Sequence, residues 1–393
     1  MESGATRLAA SASGSASVWY TDGPRSPRIS PREALAAAGV DASVRQVTMG
    51  WTLERHPWLD DPEVRGRTTM AGYGLGRAVA DGRFDPLPIR LSAVGRLIAA
   101  DPPQVAVVAG VPRGAGFAFA GSIGWADVLA RVAQRVVVEV DDRAPDLGGP
   151  VIEGNIVATL TRPPSGLPAD PLAREPDEID RTIASNVLAL LPDAATLQFG
   201  LGATCEAIVQ CIDRPIRVWS GLVTDEVARL HGRGLLAAPA VATYCWGGRE
   251  LGELADLGML RLTPCATTND SRRVGAIPRF VACNTALQVG LDGSVNVERV
   301  GSRIVAGMGG HPDFCLGGSW SAGGTSIVAL RSTTGNGTST IVDTVDVVST
   351  PRTDVGFVVT EYGAADLRGC SDTERSVRLR SIAAPEHRRA RWA

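Results

Sequence analysis

From about residue 85 onward, two kinds of apolar pattern alternate along the chain. Gln104–Val111 (Q-V-A-V-V-A-G-V) and Arg135–Val140 (R-V-V-V-E-V) are short, β-branched and almost continuously apolar, the pattern of strands buried on both faces. Between them, Trp125–Gln134 has helical spacing. Strand, helix and strand in that order predict βαβ units and a largely parallel sheet. Pro163 to Pro176 is rich in Pro, Asp and Arg without periodicity and reads as a linker. The alternation then resumes, with an amphipathic helix over Asp177–Leu191 and a strand over Ala195–Phe199. Further strands are predicted at Ile216–Trp219, Phe280–Cys283, Ser302–Ala306, Ser326–Leu330 and Asp354–Thr360, and helices at Thr204–Ile212 and Ser371–Ile382.

This pattern divides the chain into an α/β domain over 21–165, a linker over 166–176 and a second α/β domain over 177–393. A length of 393 residues fits two cores better than one. Residues 1–20, rich in Ser, Ala and Gly, are expected to be disordered, and they lack the continuous apolar core of a signal peptide. No apolar run approaches the length of a membrane span, so no membrane partner is expected.

Composition narrows the chemistry. The net charge of −3 offers no excess of cations for phosphate backbones, so nucleic acid is not an expected partner. All 39 basic residues are arginine, which excludes Schiff-base catalysis and a Walker A lysine. The seven cysteines are odd in number and include no Cys-x-x-Cys pair, consistent with a reduced, cytoplasmic setting and with no metal site.

Three stretches have the residue types for chemistry. Gln198-Phe-Gly-Leu-Gly202 joins a strand to a helix, where glycines admit close backbone approach and the helix N-terminus faces an anion or oxyanion. Most such turns only close a connection, and the third glycine of a dinucleotide fingerprint is absent. In Gly307-Met-Gly-Gly-His-Pro-Asp-Phe314, Gly307, Gly309 and Gly310 either satisfy a turn with positive φ or approach a bulky ligand, and Asp313 either joins the site or braces the turn. His311 is the best placed of four histidines to act as a general base; the alternative is an ordinary polar loop residue. Glu361 ends a strand, so its carboxylate lies either at the ligand edge of a sheet or in an ion pair with an arginine such as Arg368. Cys205 lies near a predicted helix N-terminus, which can activate a thiol, but no histidine or asparagine accompanies it; all seven cysteines read as buried and inert.

These motifs, in this order, resemble the acetyl-CoA hydrolase/transferase family, the single-chain branch of the class I CoA-transferases that includes the 4-hydroxybutyrate CoA-transferase kind. The resemblance runs from about residue 70 to 388, through Pro88-Ile-Arg-Leu-Ser92, Val105–Ser122, Val136–Pro145, Leu197–Gly202, Cys283-Asn-Thr-Ala286, Asp292-Gly293 and the blocks 307–314 and 358–369. It implies two tandem Rossmann-like CoA-transferase domains with largely parallel sheets, assembled as a homodimer or larger homo-oligomer. It also implies coenzyme A, carried as an acyl-CoA substrate, and a small-molecule acceptor. Gln198, Gly200 and Gly202 would line the acyl site, and Gly307, Gly309 and Gly310, with Asp313 following, would contact CoA. Glu139 and Asp141 match a supporting element and carry a structural reading. Before residue 70 the match weakens, and Thr21-Asp-Gly-Pro-Arg-Ser-Pro27 stands where the family has a glycine-rich loop followed by Thr-Pro.

One position departs from the family. Members that transfer CoA carry a glutamate in a segment resembling Ile-His-Thr-Glu-Met-x-Ser-Asp-Gly, whose carboxylate attacks the thioester and becomes a glutamyl-CoA thioester. Here the segment is Val218-Trp-Ser-Gly-Leu-Val-Thr-Asp-Glu226, with Asp225 matching the aspartate and Gly221 at the place of the glutamate. Glu226 could replace it only by a slip that breaks the aspartate match. The expectation is therefore an acyl-CoA-utilising enzyme that works without that intermediate, by hydrolysis or direct acyl transfer. The alternatives are an orthodox CoA-transferase, with a partner chain supplying the carboxylate, or a CoA-binding protein without catalysis.

Overall fold

The computed structural model describes residues 14–162 and 174–388. Residues 1–13, the expected linker as far as residue 173, and residues 389–393 lie outside the described residues. Two mixed α/β layers built on largely parallel sheets account for most of the rest. The first sheet contains β1 (Ser15–Tyr20), β2 (Ser43–Met49), β3 (Gly66–Thr68), β4 (Phe84–Pro86), β5 (Val105–Arg113), β6 (Gly116–Phe119), β7 (Arg135–Val140) and β8 (Ile156–Thr161). Its order is β4-β3-β2-β1-β5-β7-β8, with β6 antiparallel beside β5 and every other pair parallel.

The expected disorder of residues 1–20 is corrected at its end. β1 lies between β2 and β5, with Val18 and Tyr20 fully buried. Small polar residues in Ser-Ala-Ser-Val-Trp-Tyr concealed a central strand, because Ser17 finds an internal partner. Its N–H and hydroxyl both donate to Gln104 Oε1, at 2.9 and 2.6 Å. The sheet thus begins some seventy residues before the point at which the alternation becomes visible in the sequence.

The second sheet contains β9 (Thr196–Phe199), β10 (Arg217–Val218), β11 (Phe280–Asn284), β12 (Thr325–Ala329), β13 (Phe357–Thr360) and β14 (Gly363–Asp366). Its order is β10-β9-β11-β12-β13-β14, parallel throughout except for the antiparallel edge strand β14. The predicted strand at Ser302–Ala306 shrinks to the Arg303–Ile304 pair, exposed at Arg303 and half-buried at Ile304, antiparallel to Arg299–Val300. The helix predicted at Thr204–Ile212 is present as Ala203–Cys211. Asp180, fully buried, fixes it by accepting from Thr204 Oγ1 at 2.7 Å and from Arg331 at 2.8 Å.

Parallel order brings the carboxyl ends of neighbouring strands to one edge, where α/β sheets hold ligands. In the first sheet, Asp22, Trp51 and Met70 each sit two residues beyond a strand. In the second, Gly200, Gly221 and Thr285 follow β9, β10 and β11. These two edges face each other.

Candidate active site

A cavity of ≈ 270 Å³ lies where the edges meet. β9 supplies Gln198 and the turn after it Gly200 and Leu201, the segment after β10 supplies Gly221 and Leu222, and β11 supplies Asn284. Trp51, Met70, Tyr73 and Leu91 close it from the first half of the chain, and Gly307, Gly310 and His311 come from the glycine-rich turn. Of the residues singled out in the sequence, Gln198, Gly200, Gly221, Gly307, Gly310 and His311 therefore meet in one place. No carboxylate, thiol or guanidinium lines this cavity among the described residues.

Strand register explains the amides. Gln198 pairs with Ala282, so Asn284, two residues on, shares its face and lies one diagonal step away. Their side chains exchange two hydrogen bonds, at 2.9 and 3.0 Å. Asn269 Oδ1 accepts from Thr268 Oγ1, whereas its buried Nδ2 has no partner. Two glycines permit close packing here. A Cβ on Gly307 would lie 2.8 Å from Met70 Cα, and one on Gly310 would lie 2.6 Å from Asn269 Nδ2. Gly221 differs: its φ is not positive, and an added Cβ would meet only Phe314, at 3.3 and 3.7 Å. A Cβ at 221 is excluded neither by backbone nor by contact, beyond a small movement of that ring.

His311 opens the helix His311–Trp320 and is buried. Its Nδ1 is 2.7 Å from Thr350 Oγ1 and its Nε2 has no partner. Burial pushes its pKa down to about 4. At neutral pH the ring is uncharged; Nδ1 also lies 3.5 Å from Cys315 Sγ, and in the tautomer with its proton on Nδ1 the Nε2 lone pair is unpartnered.

Four expected site residues lie outside the cavity wall. Gly202 caps the helix Ala203–Cys211 at φ +96°, with nothing within 4 Å of an added Cβ; its glycine serves the backbone. Gly309, at φ +56°, likewise shapes the turn. Asp313 is a fastener rather than a ligand contact. It is 1% exposed and accepts from Ser92 N–H at 3.1 Å and Ser92 Oγ at 2.8 Å, with Arg90 at 3.7 Å, so it ties this turn to the helix Leu91–Ala100. Glu361 follows the carboxyl end of β13, at the sheet edge as one reading had it, but it reaches neither the cavity nor Arg368. It accepts from Ser332 N–H at 3.0 Å and Ser332 Oγ at 2.6 Å, while Arg368 bonds Asp366 instead. The sheet order puts β12 between its strand and β11, roughly 10 Å from the strand that lines the cavity.

The thiols are no better placed. Burial pushes Cys205 up to about 12, and Cys245, Cys265, Cys283 and Cys315 upward as well. No group of three His, Cys, Asp or Glu side chains suited to a metal occurs among the described residues.

Tyr244, Trp51 and Tyr73 line the cavity without any local signal in the sequence. Tyr244 stands edge-on to Trp51, 5.4 Å between centroids, and its hydroxyl donates to the buried Asp22 carboxyl at 3.1 Å. Burial raises Asp22 to about 7, against the lowering effect of the tyrosine. Because the folded value exceeds the unfolded one of ~3.9, the folded state prefers the protonated form, and stability is lost as pH rises from about 4 through about 7. Asp22→Asn cannot ionise and still meets the hydroxyl. Between pH 5 and pH 8 its unfolding free energy is expected to gain on the wild type by roughly 3 kcal/mol. Denaturant titration at the two pH values checks this; a pH-independent difference would contradict it.

A second cleft, ≈ 1040 Å³, shares Tyr73 and Ala306 with the cavity. Arg55, Arg77 and Arg303 line it, and no carboxylate does among the described residues. Arg55 and Arg77 are held by Asp60 and Asp81 at its margin. A chamber without charged side chains thus opens beside one lined by three arginines, two of them paired with aspartates.

Residues 251–390 match the acetyl-CoA hydrolase/transferase C-terminal domain. A 4-hydroxybutyrate coenzyme A transferase of Clostridium kluyveri is 30% identical over 226 residues, 54% of this chain and 53% of that enzyme. The chain thus spans about half the length of that relative. A succinyl-CoA:acetate/propanoyl-CoA:succinate CoA transferase of Fasciola hepatica is 27% identical over 85% of this chain and 74% of its own. Among solved structures, RipA from Yersinia pestis superposes with a TM-score of 0.83 at 25% identity, covering 95% of this chain and 92% of that one.

Proposed function

Because the chain belongs to the acetyl-CoA hydrolase/transferase family, we propose that it is an acyl-CoA-utilising enzyme that acts without a glutamyl-CoA intermediate. The cavity would take the acyl thioester and the arginine-lined cleft the phosphates of CoA. The observation that carries this reading is the cavity wall: it offers no carboxylate or thiol nucleophile, and its one imidazole has an unpartnered Nε2.

On this reading His311 Nε2 takes a proton from water or a small neutral acceptor, whose oxygen or nitrogen attacks the thioester carbonyl carbon. The C–S bond then breaks, and the imidazolium returns the proton to the departing CoA sulfur. The volume at Gly221 admits the acceptor. Polar hydrogens of the Gln198 and Asn284 amides, and the free Nδ2 of Asn269, are the side-chain donors available to a developing oxyanion.

A second reading, CoA binding without catalysis, is favoured by the same missing nucleophile. Release of free CoA thiol from an acyl-CoA separates the two. Release is expected; no release with water, carboxylate or amine acceptors would support the binding protein.

A further inference from the structure

We infer that the acyl group taken by the cavity is electrically neutral: the ligand is a CoA thioester of an uncharged aliphatic or aromatic acid, and not of a dicarboxylic acid. The inference rests on the CoA-ester reading above and adds the class of acyl group to it.

The charge of the wall carries it. Trp51, Leu91, Leu222, Val297, Met308 and Phe314 present apolar surface to the space. The polar side chains of the wall carry no charge, and Asn269 Nδ2, a neutral donor, and His311 Nε2 are left unpartnered. Gln198 and Asn284 spend an amide hydrogen and a carbonyl each on one another. His311 stays uncharged at neutral pH because burial holds its pKa near 4. The arginine nearest in sequence to this wall, Arg90, is turned away: its Nη1 donates to Pro312 O at 3.3 Å and lies 3.7 Å from Asp313.

A second carboxylate on the acyl chain would therefore be buried without a cation or a full set of donors. Burying an ion without a partner carries a desolvation cost that the apolar contacts of a short chain do not offset. The arginines of the neighbouring cleft do not rescue it. They lie beyond Tyr73 and Ala306, on the side from which the phosphates would approach.

The test uses the wild-type protein and stable thioethers of CoA, so that turnover does not consume the probe. Binding of CoA, S-butyl-CoA and S-(3-carboxypropyl)-CoA is measured by calorimetry at pH 7.5. S-butyl-CoA is expected to bind at least tenfold tighter than S-(3-carboxypropyl)-CoA. A smaller difference, or the reverse order, overturns the inference, and if CoA itself binds in that case the CoA-ester reading survives. Failure of all three compounds to bind overturns both.

Discussion

Gly221→Glu is expected to convert the protein from one that forms no covalent CoA adduct into one that does. The position follows β10 at the carboxyl edge of the second sheet and lines the cavity, and an added Cβ meets only Phe314, at 3.3 Å. Its carbonyl accepts from Thr243 N–H at 3.3 Å and Tyr244 N–H at 3.0 Å, so the backbone direction is held whatever the side chain. A carboxylate there can attack the thioester carbonyl, expelling CoA thiolate and leaving a mixed anhydride. The thiolate then attacks the glutamyl carbonyl, releasing the free acid and a glutamyl-CoA thioester. Intact-mass measurement after mixing with acyl-CoA is expected to show the adduct in the variant, together with CoA exchange between carboxylates. A folded variant that gives neither would mean that the cavity differs from a transferase site by more than one side chain.

His311→Gln is expected to lower kcat for thiol release by about 100-fold, the lower end of what a positioned general base supplies. The amide can still meet Thr350 Oγ1, so folding and the KM for acyl-CoA are expected to change little. The pH profile separates a proton-transfer role from a packing role. With a pKa of about 4, the imidazole is in its basic form throughout the neutral range, so wild-type kcat is expected to hold as pH falls to about 5 and to drop below that. The variant's residual rate is expected to lack this drop. A wild-type profile that breaks near 6.5 would place the essential proton on another group.

The sequence made legible what is contiguous. Buried strands such as Arg135–Val140 and the turns around Gly200 and Gly307 stood out, because short apolar runs and clustered glycines are local signals. What it concealed depends on convergence between distant segments. Trp51, Tyr73 and Tyr244 occupy irregular or two- to three-residue elements without periodicity, and only the meeting of two carboxyl edges brings them to one wall. Asp313 sat in a motif that left it either in the site or as a brace, and the partner that makes it a brace, Ser92, lies 221 positions away. Glu361 shows the opposite failure. Its strand is buried as expected, but strand order, which no local pattern encodes, removes it from the cavity. Ser15–Tyr20 shows that a serine-rich segment becomes a central strand when one distant side chain, Gln104, satisfies its polar groups.

The central claim is that this chain consumes an acyl thioester without a covalent CoA intermediate. The most direct test incubates the wild-type protein with butyryl-CoA, follows free thiol, and takes intact and peptide masses during turnover. Free CoA thiol released while the protein mass stays unchanged is the predicted result. A CoA thioester on any glutamate of this chain, or no thiol release with any acceptor, would contradict it.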